Sequence, residues 1–498
     1  MLHNRPPITA HRSPNNEWMI DGRAIHPVDR HRDLNRGPGI LKSVAFITLH
    51  ESALVTVERE MADDLHDYIV FNTTDQADRI VVERLPEPDL LSIVINTERF
   101  IVILAGFNQF VVFNTQGGND LIHVSDEVNR PILINAGPGD DRIWAGSGYS
   151  RIFAGPGNDT ILNRRGTSYI EAGDGNDQVI ALDNGDMTVY AGPGNDTVIA
   201  HTGQAFIHGG DDDDHLVGGS AHAILVGGPG NDTLQAGTGT NTLYTGDGLD
   251  VVTQLKPEDN VFANPYSGLS AAGQTIAHGM TPVDDTATCP HPQARVTDIS
   301  ARPLEYSGIR VIGNAQFQRR VNDDLQLLAC SPKGQKLFEA LRAAEERSAT
   351  AINIFELEDE TNGIFVPRNA TNPASYIQNN QPGTPTYGGA VYYNPTYMSN
   401  QTTNIPLLYH ELCHAYNAVT GSMLSGESED GEDASKPREL IDNHELQAVG
   451  LPTNAPPFDF DNDPQTPPTN TNPPQFTENG IREELGLPLR KQYVRHVI

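Results

Sequence analysis

From about residue 111 to 253 an apolar residue returns every nine positions. The series is Ile143, Ile152, Ile161, Ile170, Val179, Val189, Val198, Ile207, Leu216, Leu225, Leu234, Leu243 and Val252, with a single step of ten. Between them lie G-x-G-x-D turns. They are Gly137-Pro138-Gly139-Asp140-Asp141, Gly155-Pro156-Gly157-Asn158-Asp159, Gly173-Asp174-Gly175-Asn176-Asp177, Gly192-Pro193-Gly194-Asn195-Asp196 and Gly228-Pro229-Gly230-Asn231-Asp232. Glycine lets the backbone turn with φ > 0. One inward apolar residue per half-turn cannot close a core alone, so successive repeats must stack.

The turns are not all alike. Asp141, Asp159, Asp177, Asp196, Asp214, Asp232 and Asp250 recur at a spacing of 18, with one of 19. The alternate half-turns carry Ser150, Ser168, Met187, Ala205, Ala223 and Asn241 instead. One full coil is therefore 18 residues, and the acid runs down one side only. Turn carbonyls and carboxylates are hard oxygen ligands suited to Ca²⁺. The pattern resembles the RTX nonapeptide G-G-x-G-x-D-x-U-x, which implies a calcium-binding parallel β-roll. Asp141, Asp159, Asp177, Asp196, Asp232 and Asp250 are the expected calcium ligands. Gly210-Asp211-Asp212-Asp213-Asp214 departs from the pattern and is left out. The expectation is one row of calcium ions and one metal-free edge.

A solenoid needs a cap. Residues 38–110 are rich in short β-like runs and read as that cap, with calcium-free coils grading into the roll. Residues 1–37 lack an apolar core typical of a Sec signal and read as a disordered segment, a candidate export signal of another kind. Residues 254–304, rich in Pro, Asp, Ala and Thr, read as a linker. A net charge of −32 argues against nucleic acid and anionic membranes as partners. The three cysteines, Cys289, Cys330 and Cys413, imply no disulfide framework. No apolar run is long enough to span a bilayer. The chain is expected to be a secreted monomer.

A second signature lies near the end. His410-Glu411-Leu412-Cys413-His414 reads H-E-x-x-H. On a helix, His410 and His414 share one face and can meet a tetrahedral Zn²⁺. Glu411 projects elsewhere and can act on a water as general base. Asn404-Ile405-Pro406 supplies an N-cap and an early proline, and Gly421 the stop. Asn417 and Thr420 stand where the longer H-E-x-x-H-x-x-G-x-x-H pattern needs Gly and His. The third ligand is then expected on a second helix, read over Arg438–Gly450. Glu445 is preferred there; Glu439 and His444 are its rivals.

Strands are expected at 309–312, 351–355 and 389–393, and helices at 316–328 and 331–347. Strand followed by zinc helix is the zincin layout, in which an edge strand pairs with substrate. The stretch also carries Ser331-Pro332-Lys333-Gly334-Gln335-Lys336-Leu337, Asn443-His444-Glu445-Leu446-Gln447-Ala448-Val449-Gly450 and Thr477-Glu478-Asn479-Gly480-Ile481-Arg482-Glu483-Glu484-Leu485-Gly486. With the zinc helix, these blocks resemble the NleD-type zinc metallopeptidases, effectors that bacteria inject into host cells by type III secretion. The resemblance spans about residues 305–498 and implies endoproteolysis of host proteins. Arg490-Lys491-Gln492-Tyr493 is similar to an R-x-x-Y pair that clostridial neurotoxin proteases use at the oxyanion, which casts Arg490 and Tyr493 as donors there. Two polar loops, 422–437 and 452–475, flank the site and read as gates or insertions.

The whole reads as multidomain: a parallel β-roll or β-solenoid, then an α+β zincin peptidase. Its expected function is zinc-dependent cleavage of proteins. The alternatives are a type I-secreted RTX protease and a structural or adhesive roll with a degenerate zincin domain.

Overall fold

The structure is a computed structural model. It describes residues 10–493 except 14–16, 24–27, 36–40, 64–65, 88, 265–267, 272–273, 278–293, 300–302, 358–362, 369–374, 398–402, 431–438 and 461–464. The chain divides into two compact units, residues 1–34, 41–261 and 265–296 in one, and 35–40, 262–264 and 297–498 in the other.

In the first unit the nine-residue steps alternate between two parallel sheets. Ile122, Ile143, Ile161, Val179, Val198, Leu216, Leu234 and Val252 stand in register in one. Phe113, Ile134, Ile152, Ile170, Val189, Ile207, Leu225 and Leu243 stand in register in the other. None of these sixteen side chains is more than 1% exposed. Burying each contributes ~1.5–3 kcal/mol, and only the stack of coils makes that burial complete.

The coils begin before residue 111. His66–Asn72 pairs in parallel with Phe110–Asn114, and Arg79–Arg84 with Leu121–Val124. The remaining strands of this region, such as Leu41–Glu51 and Leu90–Ile95, pair antiparallel. The N-terminal segment, expected to be disordered, is partly sheet. Trp18–Asp21 runs parallel to Glu98–Ile103 and antiparallel to Ala10–Arg12. Its Ile20 is fully buried, and the Trp18 ring lies 4.2 Å from the His50 ring. A single alternating Trp-Met-Ile-Asp run, too short to outweigh the polar composition around it, does this. The linker expectation also needs correction. Gly268–Ala271 continues the parallel ladder from Val251–Thr253, and Gln274–Ala277 folds back on it. Residues 278–293 of that stretch, Cys289 among them, lie outside the described residues.

The second unit holds a four-stranded sheet in the order Ile309–Ile312, Ile352–Glu356, Gly389–Tyr393, Gly363–Pro367. The first three are parallel; Gly363–Pro367 is antiparallel and forms an edge. Among the described residues five α-helices accompany it: α1 Ala315–Ala329, α2 Pro332–Ser348, α3 Ile405–Thr420, α4 Asn443–Val449 and α5 Glu478–Glu484. The starts of α1 and α2 are capped by Asn314 and Ser331, whose side chains accept from Phe317 N and Gly334 N. Helix α3 lies in the middle, packed by α2, α4, α5 and the edge strand, and is buried along nearly its whole length.

The helix read over 438–450 is shorter. Glu439–Asp442 is a strand, paired antiparallel with Glu427–Asp430. Leu440 is 56% exposed and Ile441 1%. That two-residue alternation is a strand's. The helix starts only at Asn443. Both flanking loops are partly built structure: Glu427–Asp430 belongs to the first, and in the second Phe458 pairs with Thr469 while Ala455, Phe458 and Phe460 pack with Leu424.

Candidate active site and cation row

Helix α3 presents His410 and His414 side by side. Both are buried, and their Nε2 atoms lie 3.1 Å apart. Asn404 does not cap the helix with its side chain; its Nδ2 donates to the Pro395 carbonyl, and Thr403 Oγ1 accepts from Ile405 N. Gly421 ends the helix as expected, with φ +71°. Helix α4 delivers Glu445. Its Oε2 is 3.4 Å from His410 Nε2 and 3.2 Å from His414 Nε2. One ligand atom from each of the three residues lies within 4.8 Å of the others. Of the rivals, His444 sits beside the group, its Nε2 3.4 Å from Glu445 Oε1. Glu439 is an exposed strand residue outside it.

Helix α4 is short, so its placement rests on side chains. Asn443 accepts from Ser428 Oγ and donates to the Ser425 carbonyl. Gln447 donates to the Ser422 carbonyl and to Asn472 Oδ1, and accepts from Leu424 N. Ile441, Leu446, Val449 and Leu451 form the apolar cluster beneath, with Tyr493 against it. Buried amides with every partner supplied fix an orientation as well as a depth.

Behind His410 stands Glu478, fully buried, its Oε2 3.2 Å from His410 Nδ1. Arg482 Nε and Arg490 Nη1 donate to Glu478 at 2.7 and 2.8 Å. Arg490, expected as an oxyanion donor, is thus engaged with Glu478, its guanidinium 5.2 Å from the centre of the Tyr493 ring. Glu478 was not among the expected site residues. The available signal was weak: an acid at i and an arginine at i+4 in the helix that opens at Thr477.

The site gathers the carboxylates of Glu411, Glu445 and Glu478 around His410. Burial disfavours a charged His410, yet Glu445 and Glu478 outweigh it and hold the ring up to about 10. Burial acts against the Glu445 carboxylate too, but His414 and His410 pull it well below the usual range. Glu411 is not in the ligand group. Burial raises its pKa, opposed by the two histidines. It faces the edge strand, where a Cβ on Gly363 would lie 3.2 Å from its Cγ. Burial, followed by Glu445 and Glu411, raises the Tyr493 phenol, which keeps it a proton donor. Cys413 is buried, and burial raises its thiol well above the usual value, in keeping with packing.

The roll carries the other candidate centre. Asp141, Asp159, Asp177, Asp196, Asp214, Asp232 and Asp250 stack down one edge and are at most 3% exposed. Each Oδ1 accepts the backbone N–H of the aspartate one coil earlier, from Asp120 N→Asp141 at 2.7 Å to Asp232 N→Asp250 at 3.0 Å. Oδ2 of Asp141, Asp159, Asp177, Asp196, Asp214 and Asp232 is buried with no hydrogen-bond partner. A Cβ on Gly227 would come within 2.4 Å of Asp232 Oδ2, so the glycine leaves the carboxylate its space. Desolvation pushes these carboxyls up, to about 6 at Asp177, about 7 at Asp159, about 8 at Asp141, Asp196 and Asp232, and about 9 at Asp214. Buried acceptor oxygens without donors fit a hard cation. Asp214, left out on its sequence, occupies the ladder like its neighbours, with Asp212 at φ +80° in place of a glycine. A second, exposed ladder runs beside it through Asn119, Asp140, Asn158, Asn176, Asn195, Asp213 and Asn231, each accepting from the amide one coil on.

Two comparisons agree with this geometry. Residues 305–493 match the Peptidase_M91 family, described as "Effector protein". Residues 135–170, 190–225 and 226–253 match the RTX calcium-binding nonapeptide repeat, in four copies. Searches of curated proteins and of solved structures gave no match. An effector-type peptidase domain therefore follows a roll of RTX calcium-binding repeats, and a protein is its implied substrate. No helix among the described residues is long and apolar enough to cross a membrane.

Proposed function

We propose that the chain is a zinc-dependent endopeptidase that is exported and acts on proteins of a host cell, with a roll stabilised by calcium. The observation that carries the zinc reading is the convergence of His410, His414 and Glu445 from two helices, with Glu411 beside them but outside the group. Two imidazoles and a carboxylate are the donor set of a catalytic zinc with one position left open. Bound there, Zn²⁺ would acidify a water and polarise the scissile carbonyl.

The chain's own residues supply the rest. Glu411 takes the proton of the attacking water and returns it to the leaving amine. The Tyr493 hydroxyl donates to the carbonyl oxygen as charge develops there. The Glu478 carboxylate, 3.2 Å from His410 Nδ1, favours the proton on that nitrogen, which leaves Nε2 as the ligand atom. Arg490 acts through Glu478 and steadies Tyr493. The edge strand Gly363–Pro367 can receive an extended peptide as an added strand beside Glu411. RTX repeats and an effector domain are consistent with secretion; type III injection rests on the NleD-type resemblance.

The test is a host-cell lysate treated with wild type and with Glu411→Gln, followed by mass spectrometry of new N-termini. Wild type should generate discrete cleavage sites. The variant should keep zinc and lose activity by roughly a thousandfold or more, since the general base goes but no ligand does. Equal cleavage by both proteins would remove Glu411 from the mechanism.

A further inference from the structure

We propose that the cation row starts one coil before the matching repeats, with a calcium site between the turns 116–120 and 137–141 that includes Asp120. This rests on the calcium reading of the roll and extends it to a turn outside the repeat segments.

In the matching turns the backbone takes positive φ four and two residues before the aspartate: Gly137 at +88° and Gly139 at +149° before Asp141, and Gly155 at +107° and Gly157 at +152° before Asp159. The turn before Asp120 does the same with a different residue. Gln116 has φ +63° and Gly118 φ +101°. A glutamine in the left-handed region is unusual, so stacking on the next turn, not glycine's freedom, sets this conformation. The two turns are in contact: Gly118 N donates to the Pro138 carbonyl, and a Cβ on Gly139 would lie 2.0 Å from Gly118 O.

The carboxylate is built in as the others are. Asp120 is 2% exposed. Its Oδ1 accepts from Asp78 N at 2.7 Å, and its own N–H donates to Asp141 Oδ1. The Oδ2 atoms of Asp120 and Asp141 are both buried without a hydrogen-bond partner. Two facing turns, each with a buried carboxylate oxygen that has no hydrogen-bond partner, offer a cation the same kind of oxygens as a later pair, the Thr115 hydroxyl beside Asp120 being the one addition.

The row ends there. Asp78 also has an unpartnered Oδ2, but its Oδ1 accepts from Asn96 Nδ2, and neither Thr74 nor Gln76 has positive φ. The turn carrying Asp78 therefore lacks the backbone shape of the others. Because Ala77 stacks directly on Gly118, where a Cβ would come within 2.5 Å of Ala77 N, a cation held by Asp120 orders the start of the cap along with the first coil.

The experiment counts bound calcium per full-length chain, by metal analysis after gel filtration in calcium buffer, for wild type, Asp120→Asn and Asp78→Asn. Asparagine keeps the Oδ1 acceptor that the fold uses and removes the charge. The expected result is one ion fewer for Asp120→Asn and an unchanged count for Asp78→Asn. An unchanged count for Asp120→Asn, or equal losses in both variants, overturns the proposal. Wild type holding no calcium at all would instead sink the calcium reading of the whole roll. Should Asp120→Asn fail to fold, Gln116→Gly provides the second arm. It eases the left-handed position, so the count should hold and calcium affinity at this site should rise; a lowered count would count against the proposal.

Discussion

The two candidate metal centres are built on opposite principles. In the peptidase unit two of the three candidate ligands have their own bracing: Glu478 behind His410, and Asn443 and Gln447 anchoring the helix of Glu445. Opposite charges already face each other there. In the roll the same turn is copied from coil to coil, and repetition alone sets the ligands. One oxygen of each carboxylate serves the ladder, and the other is buried unpaired. The first arrangement is complete in its fold and adds a metal. The second stacks buried carboxyls whose second oxygens have no hydrogen-bond partner, so on the calcium reading proposed above a cation would add directly to the stability of the fold.

The proposed zinc pocket should therefore answer to single residues. Glu445→Ala should weaken zinc binding by several orders of magnitude, and Glu478→Gln by about 10–100-fold, the usual range for a partner behind a ligand. Glu439→Ala should leave it unchanged. Competitive chelator titration measures all three. Equal zinc affinity in Glu445→Ala and wild type would remove Glu445 from the ligand set.

What could be read beforehand follows the same division. The roll was legible because a repeat states its own geometry many times over: the apolar residues and turn aspartates fall where the periodicity puts them. His410 and His414 were legible because both sit on one helix, where spacing fixes the face. What joins distant segments was not. Glu478 lies 68 positions from His410 and meets it only through the packing of α5 on α3. Arg490 was assigned to substrate because nothing local shows that a buried Glu478 binds it first. The helix expected from 438 lost its first turn to a pairing with Glu427–Asp430 that a one-dimensional pattern cannot display. Asp120 and Asp214 were passed over because Gln116 and Asp212 replace the glycines of the motif, although the backbone keeps its shape.

The roll should answer to solvent instead. Calcium at millimolar concentration, added to chelator-treated full-length protein, should raise one calorimetric transition by roughly ten degrees or more, as binding to the folded state alone does. The transition of the peptidase unit should not follow calcium. In chelator the pH dependence is also fixed in sign. The ladder aspartates have folded values of about 6 to about 9, above their ordinary value. The native roll then holds more protons than the unfolded chain. This contribution to its stability is fully present below about pH 4 and is lost as pH rises through the 6–9 range. Melting temperature in chelator should therefore fall from mildly acid to alkaline pH, and calcium should abolish the trend. A rise with pH in chelator would mean that the carboxylates are already ionised and compensated in the metal-free fold.

The smallest effect concerns the other edge of the same roll, which sharpens the contrast within one structure. There the glycines do not take positive φ; they are needed because coils touch, a Cβ on Gly166 falling 1.7 Å from Gly148 O. At the end of this edge the chain supplies its own cation. Lys256 Nζ donates to the carbonyls of Gly237 and Gly239 and lies 3.4 Å from Asp259 Oδ1. Asn241, standing where the acid edge has aspartate, donates from Nδ2 to the same two carbonyls and from N to Asp259 Oδ1. An ammonium and an amide thus satisfy oxygens that on the acid edge would be left to a metal. Lys256→Met removes the charge and keeps most of the stem. It should lower the melting temperature of the roll by a few degrees, the size expected for one partly buried charged hydrogen-bonding group. The loss should appear equally with and without calcium, because this edge does not depend on it. A loss confined to chelator would show that the two edges share their cations, and the comparison drawn between them would fail.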